Sequence, residues 1–251
     1  MYNVFDVVVD YTKLNRNKKF EDYAKQRNWS KQTVDKWELG YFPPDNLLDL
    51  KVKIVNAGGR QEDMAQNGIA KGDRSIFFDR TIFPVYDTWG KRIAITGRVF
   101  NENVKPKYFN TVYEKAKILY GLNHAKESIL KTGRVYVFEG NADVITSHQF
   151  GIENSVCIMG TTFSEDHYIL LSRYAKEIVL VFDNDAGGQK ALVSFNKKQM
   201  ERPETKVFRC IFNKYKDADE FLNKEGKDKV LTYIESSMLN SGEQYRLKNI
   251  K

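Results

Sequence analysis

Two textures of apolar patterning divide the chain. Between residues 18 and 40, Phe20, Tyr23, Ala24, Val34 and Trp37 recur at helical spacing. Ser30 reads as the N-cap of a second short helix there, and Gly40 with Pro43-Pro44 as its stop. Residues 45–57 predict another helix ended by Gly58-Gly59, and a short helix follows up to Gly68. From 76 to 100 the period changes to that of strands, at 76–78, 81–85 and 92–99, with a turn at 87–90. Segments 110–122 and 123–130 return to helical spacing. Beyond Thr132-Gly133 come short apolar blocks at 135–138, 155–159, 177–182 and 206–212, separated by helical patterns at 143–150, 164–173 and 188–200. Strands alternating with helices predict a mainly parallel sheet covered on both faces. The expected fold class is therefore α/β: an α+β segment over 1–132, a parallel-sheet domain over 133–235, and a tail over 236–251 made of a helix end and a loose terminus.

Charge sharpens this division. The net charge is +7, and it is confined to one half: 23 basic and 16 acidic residues lie in 1–132, against 17 of each in the remainder. A basic half joined to a balanced half suggests a polyanion-binding surface beside another function. With 41% apolar and 13% aromatic residues the chain reads as globular. Cys157 and Cys210 sit inside apolar runs and are too few for a zinc ribbon or a disulfide framework, which suits a cytoplasmic protein. The apolar run 4–9 is interrupted by Asp6 and has no basic segment before it, so it does not read as a signal peptide, and no stretch has the length of a membrane span.

The informative acids follow the predicted strands. Glu139 follows the first, Asp183-Asn184-Asp185 the third, and Asp217-Ala218-Asp219 the fourth after a short basic connection, while Asp143 falls near the start of the first helix. In an open parallel sheet the carboxyl ends of the strands line the ligand crevice. Gathered carboxylates repel one another unless a cation joins them, and hard oxygen donors suit Mg²⁺ or Mn²⁺. Phosphoryl transfer with two metal ions is the matching chemistry. Each acid taken alone also reads as a helix cap or turn residue. Ala186-Gly187-Gly188 and Gly160-Thr161-Thr162 could bind an anion or simply turn the chain. His124, His148 and His167 show no ligand spacing and read as surface or packing residues. Tyr108, Phe109 and Tyr113 interleave with Lys105, Lys107, Lys115 and Lys117, a pattern that suits single-stranded nucleic acid and equally a half-buried hairpin and helix.

These residues resemble the catalytic core of bacterial-type, DnaG-like DNA primases. Phe138-Glu139-Gly140-Asn141-Ala142-Asp143-Val144-Ile145 is similar to the Glu-Gly-x-x-Asp-Val-Ile motif of a Toprim domain, and Phe182-Asp183-Asn184-Asp185 to its Asp-x-Asp segment. Lys216-Asp217-Ala218-Asp219-Glu220 resembles Lys-Asp-Pro-Asp-Glu with Ala for Pro. In the basic half, Trp37-Glu38-Leu39-Gly40-Tyr41, Arg80-Thr81-Ile82-Phe83-Pro84, Thr96-Gly97-Arg98, Lys107-Tyr108-Phe109-Asn110 and Lys115 to Gly121 resemble primase segments in the same order. The resemblance implies a Rossmann-like Toprim domain and DNA-templated synthesis of short RNA primers from ribonucleoside triphosphates. It implies Glu139, Asp183 and Asp185 as metal ligands, with Asp143, Asp217 and Asp219 as outer or additional ligands to two or more Mg²⁺ or Mn²⁺ ions, and Lys115 as a further catalytic residue. Arg98, Lys107, Lys115 and, in support, Arg80, with Tyr108 and Asn110, would face triphosphate or template.

The zinc-ribbon and helicase-binding domains common in the family have no counterpart in this sequence, so no zinc is expected. A replicative helicase and a separate initiation-specificity protein are the implied partners, besides single-stranded DNA. Compactness of this kind fits a phage or mobile element. Two rival readings use the same features: a Toprim nuclease, and a non-catalytic module that grips single-stranded DNA beside a helicase. The Lys-Tyr-Phe-Asn and Thr-Gly-Arg segments argue against the first, and the intact acids against the second.

Overall fold

The computed structural model describes residues 1–44, 47–101, 103–160, 162–182 and 205–240. It forms two compact units, Met1–Tyr113 and Glu114–Lys251. The first opens on α1 (Val4–Leu14), where the run 4–9 becomes a helix. Asn3 caps it by accepting the Phe5 N–H, and Phe5, Val8 and Val9 are buried along one side. Asp6 and Asp10, which interrupt the apolar run, reach Arg92 at 3.1 and 3.5 Å. Helices α2 (Lys18–Gln26) and α3 (Lys31–Lys36) follow, and Ser30 does cap the latter, accepting the Thr33 N–H at 3.0 Å.

Gly40 does not end a helix. It starts strand β1 (Gly40–Phe42). A Cβ at Gly40 would lie 2.4 Å from the Thr12 hydroxyl, so the residue is small because β1 passes against α1. Then come α4 (Leu47–Asn56), α5 (Asp63–Gln66), the two-residue strands β2 (Ala70–Lys71) and β3 (Arg74–Ser75), and the hairpin β4 (Arg80–Tyr86) with β5 (Arg92–Val99). Residues 76–78, expected to be extended, form turns between β3 and β4. With β6 (Tyr108–Asn110) the sheet order is β1-β4-β5-β6, all antiparallel. Its core joins Val8, Val9, Phe42, Leu50, Ile54, Phe77, Ile82 and Ile95.

The helix expected over 110–122 is absent. The chain leaves β6, makes a 3₁₀ turn at Lys115–Lys117, and reaches Tyr120 in extended form. Tyr120 and Cys157 exchange both backbone hydrogen bonds, at 2.9 and 3.1 Å. That tertiary pairing overrides a helical pattern in the sequence. Helix α6 (Leu122–Thr132) places Leu122, Ala125 and Ile129 in the core of the second unit, although the sequence suggested a boundary at its end.

The second unit continues with β7 (Arg134–Phe138), α7 (Asn141–Gln149), β8 (Ser155–Cys157), α8 (Glu165–Leu171), β9 (Glu177–Phe182), β10 (Lys206–Ile211), α9 (Ala218–Glu225), α10 (Lys227–Ser237) and β11 (Leu239–Asn240). Strand order is β11-β10-β9-β7-β8, with β8, β7, β9 and β10 parallel and β11 antiparallel at the edge. The fold class is the expected mixture of an antiparallel first sheet and a mainly parallel second one. The expected tail thus holds the end of α10 and an added strand. The helical pattern at 188–200 lies outside the described residues. No helix among the described residues is long and apolar enough to cross a membrane.

Candidate active site

Parallel register brings the strand ends of the second unit level. Phe138 pairs with Cys157, Val137 with Leu180, and Ile211 with Phe182. Glu139, the first residue after β7, is half-buried at this carboxyl edge. Asp183 and Asp185 follow β9 in sequence and lie outside the described residues.

Asp143 sits in the first turn of α7 and is buried. One carboxylate oxygen accepts the Gly140 N–H at 3.3 Å, closing the turn that carries Glu139. The other accepts the Asp219 N–H at 3.0 Å. Asp219 is also buried, and its own carboxylate accepts the Thr146 hydroxyl at 2.5 Å and the Asn223 amide at 3.2 Å. Asp217 caps α9 by accepting the Glu220 N–H at 2.9 Å. Hydrogen bonds to the ionised form offset the desolvation of buried carboxylates. Asp143 and Asp219 therefore hold the β7–α7 turn and α7 to the start of α9, Asp217 caps α9, and Glu139 lies on the turn that Asp143 closes. Among the described residues no group of three or more His, Cys, Asp or Glu is arranged to hold a metal ion. Among the described residues the acids at this edge are nonetheless hard oxygen donors, while the nearby Cys157 is buried and burial pushes its thiol pKa well up. Such a set fits Mg²⁺ or Mn²⁺ better than a soft metal.

Lys115 lies on the 3₁₀ turn of the same unit. Its surface is largely exposed, and partial desolvation of the ammonium draws its pKa below the usual lysine value. His167, set aside as a packing residue by its spacing, is buried behind that turn, with Nε2 2.9 Å from the Lys115 carbonyl.

In the first unit the antiparallel sheet sorts two arginines. Arg98, buried like Arg80, pairs across strands with Tyr108. Its Nη1 donates to the Tyr23 hydroxyl at 3.0 Å, and its guanidinium lies 5.3 Å from the Tyr23 ring centroid and 5.9 Å from that of Tyr108. Tyr23, known to the sequence only as a helix-face residue, thus orients Arg98. Tyr108 keeps 38% of its surface exposed, enough to offer a ring face.

Arg80 has a different place from the one expected. It is buried, and its Nε donates to Ile76 O while Nη1 and Nη2 donate to the carbonyls of Pro106 and Lys107, all at 3.1–3.2 Å. Its guanidinium lies 4.5 Å from the Phe109 centroid, and burial lowers its pKa. Arg80 staples the segment that carries Lys107 and does not present its charge for a phosphate. Asn110 is likewise engaged, its Oδ1 accepting the Thr96 hydroxyl at 2.8 Å.

Comparison with known proteins places these features. Residues 9–126 match the model of the DNA primase catalytic core, N-terminal domain, and residues 136–222 match the Toprim-like model. A DNA primase of Clostridium acetobutylicum is 32% identical over 238 residues, covering 91% of this chain and 39% of that protein. The chain thus spans well under half the length of that relative. Among solved structures, a DNA primase domain from Pseudomonas aeruginosa shares 26% identity at a TM-score of 0.84, covering 97% of this chain and 81% of the other. The Aquifex aeolicus primase zinc-binding and RNA polymerase domains share 29% at 0.81, covering 94% and 60%. Matched across both units, in order and in fold, the chain belongs to the DnaG-type primase catalytic cores, with an N-terminal primase core domain followed by a Toprim domain.

Proposed function

We propose that this chain is a primase core that synthesises short RNA primers on single-stranded DNA from ribonucleoside triphosphates. The observation that carries the reading is the Asp143–Asp219 tie beneath the turn bearing Glu139, set in a chain whose basic half also matches primase cores. A Toprim nuclease would share the acids but has no use for that half. Glu139, with Asp183 and Asp185, would hold Mg²⁺ or Mn²⁺, which when bound supplies charge neutralisation at the transferred phosphoryl group. The chain's own residues do the rest. Asp143 and Asp219 fix the turn that presents Glu139. Asp217, one oxygen spent on its cap, stands beside them as an outer group. Lys115 offers an exposed ammonium on a turn of the same unit, suited to steadying a triphosphate. Lys107 supplies charge for template or triphosphate, Arg98 backs it from within the sheet, buried against Tyr23 and Tyr108, and Tyr108 supplies a ring for a base. Nucleotidyl transfer is the proposed reaction class, and single-stranded DNA the proposed template. A helicase and an initiation-specificity protein are proposed partners in replication. The test offers single-stranded DNA, the four ribonucleotides and Mg²⁺ or Mn²⁺. Short RNA complementary to the template supports the reading, and degraded template without product supports the nuclease instead.

A further inference from the structure

The turn that carries Lys115 buries none of its side chains and holds the exposed Lys117–Glu114 ion pair at 2.8 Å. Lys115–Lys117 is a single 3₁₀ turn, and Glu114 gives it no side-chain cap. Two backbone bonds close it, from Lys117 to Glu114 O at 2.9 Å and from Ile118 to Lys115 O at 3.2 Å. The bridge at Tyr120 secures the chain only after the turn. What holds the turn from outside is the start of α8. Ser164 donates its hydroxyl to Ala116 O at 2.6 Å, and His167 Nε2 lies 2.9 Å from Lys115 O and 3.1 Å from Ile118 O.

The tautomer follows from these partners. Carbonyls only accept, so Nε2 carries the proton. Nδ1 accepts the Ser164 N–H at 3.2 Å and so carries none. Ser164 in turn accepts the His167 N–H at 3.0 Å, a reciprocal cap that fixes the ring as well as the helix end. The ring is 1% exposed and packs against Phe163, with centroids 5.8 Å apart. A neutral imidazole held on both nitrogens is thus aimed at the backbone of a turn whose side chains face solvent.

Resting on the primase reading, in which Lys115 meets the triphosphate, we infer that His167 is a positioning residue: its Nε2–H, shared between the Lys115 and Ile118 carbonyls, sets where the Lys115 ammonium stands. Phosphate binding by a single flexible lysine depends on the backbone that launches it, so loosening the turn spreads the ammonium over many positions without removing its charge.

The test compares wild type with His167→Ala, His167→Gln, Lys115→Ala and the His167→Ala/Lys115→Ala double variant. Primer synthesis and amide exchange of residues 115–118 are measured on the same preparations. We expect His167→Ala to slow synthesis about tenfold, the scale of one net hydrogen bond. His167→Gln, whose amide can donate to the same carbonyls, restores most of the rate. The double variant is no slower than Lys115→Ala alone, because both act through one ammonium. Full activity in His167→Ala, no rescue by His167→Gln, or losses that multiply in the double variant would overturn the assignment. Should wild type make no primer, the primase reading fails. Amide exchange still judges the geometry: faster exchange at 115–118 in His167→Ala, slowed again by His167→Gln, upholds it, and unchanged exchange overturns it.

Discussion

The carboxylate of Asp143 accepts the backbone N–H of Asp219 at 3.0 Å, across 76 residues of sequence. A single side chain thereby joins two of the acidic segments at the sheet edge. Its second oxygen accepts the Gly140 N–H, so Asp143→Ala leaves two backbone donors without their acceptor. The expected cost is roughly 1–3 kcal/mol for each donor left buried, read as a lower urea midpoint. Asp143→Asn keeps one acceptor oxygen and should fall between the two. Wild-type stability in Asp143→Ala would contradict the tie.

Lys107 and Arg80 have opposite expected signatures. Lys107→Ala should weaken single-stranded DNA binding and lower the magnitude of the slope of log affinity against log salt by about 0.7, the value for one phosphate contact on a single strand. Arg80→Ala should lower the melting temperature, since it removes a guanidinium that donates to three carbonyls, and leave that slope unchanged. A salt slope that falls in Arg80→Ala would return Arg80 to the phosphate contacts.

Much of this was legible in the sequence, and the exceptions have one cause. The block 177–182 coincides with β9, 135–138 differs from β7 by one residue, and Ser30 caps α3 as its spacing suggests. Local pattern sufficed because apolar strands and caps are local. Gly40 was misread because its reason lies in Thr12, 28 residues away. The segment 110–122 was misread because Tyr120 pairs with Cys157. Arg80 was expected to support the phosphate contacts because the resemblance of its motif carries no sign of the carbonyls of Pro106 and Lys107 that take up its guanidinium. The same holds at the candidate site. The positions of the acids after strands were readable, whereas the Asp143–Asp219 bond and the His167 contact depend on how α7, α8 and α9 are packed.

Glu38 makes a prediction about pH. Burial alone would raise its carboxyl, but hydrogen bonds from Arg92, Lys13 and Tyr86 hold it at about 2. A folded pKa below the unfolded value stabilises the protein above the unfolded pKa, and that stability is lost as pH falls toward 2. Glu38→Gln should therefore cost roughly 3 kcal/mol at pH 7, with the gap to wild type closing between about pH 5 and pH 2. Thermal melts of both proteins across that range read it directly. A gap independent of pH would refute the ion-pair origin.

Glu139 is proposed to serve chemistry and not template binding. Primer synthesis and single-stranded DNA affinity, measured side by side for wild type and Glu139→Ala, test it most directly. Synthesis is expected to fall by about a hundredfold or more, at or beyond the cost of losing a residue that orients a metal ligand, while DNA affinity stays within about twofold. Primer synthesis at the wild-type rate in Glu139→Ala would contradict it.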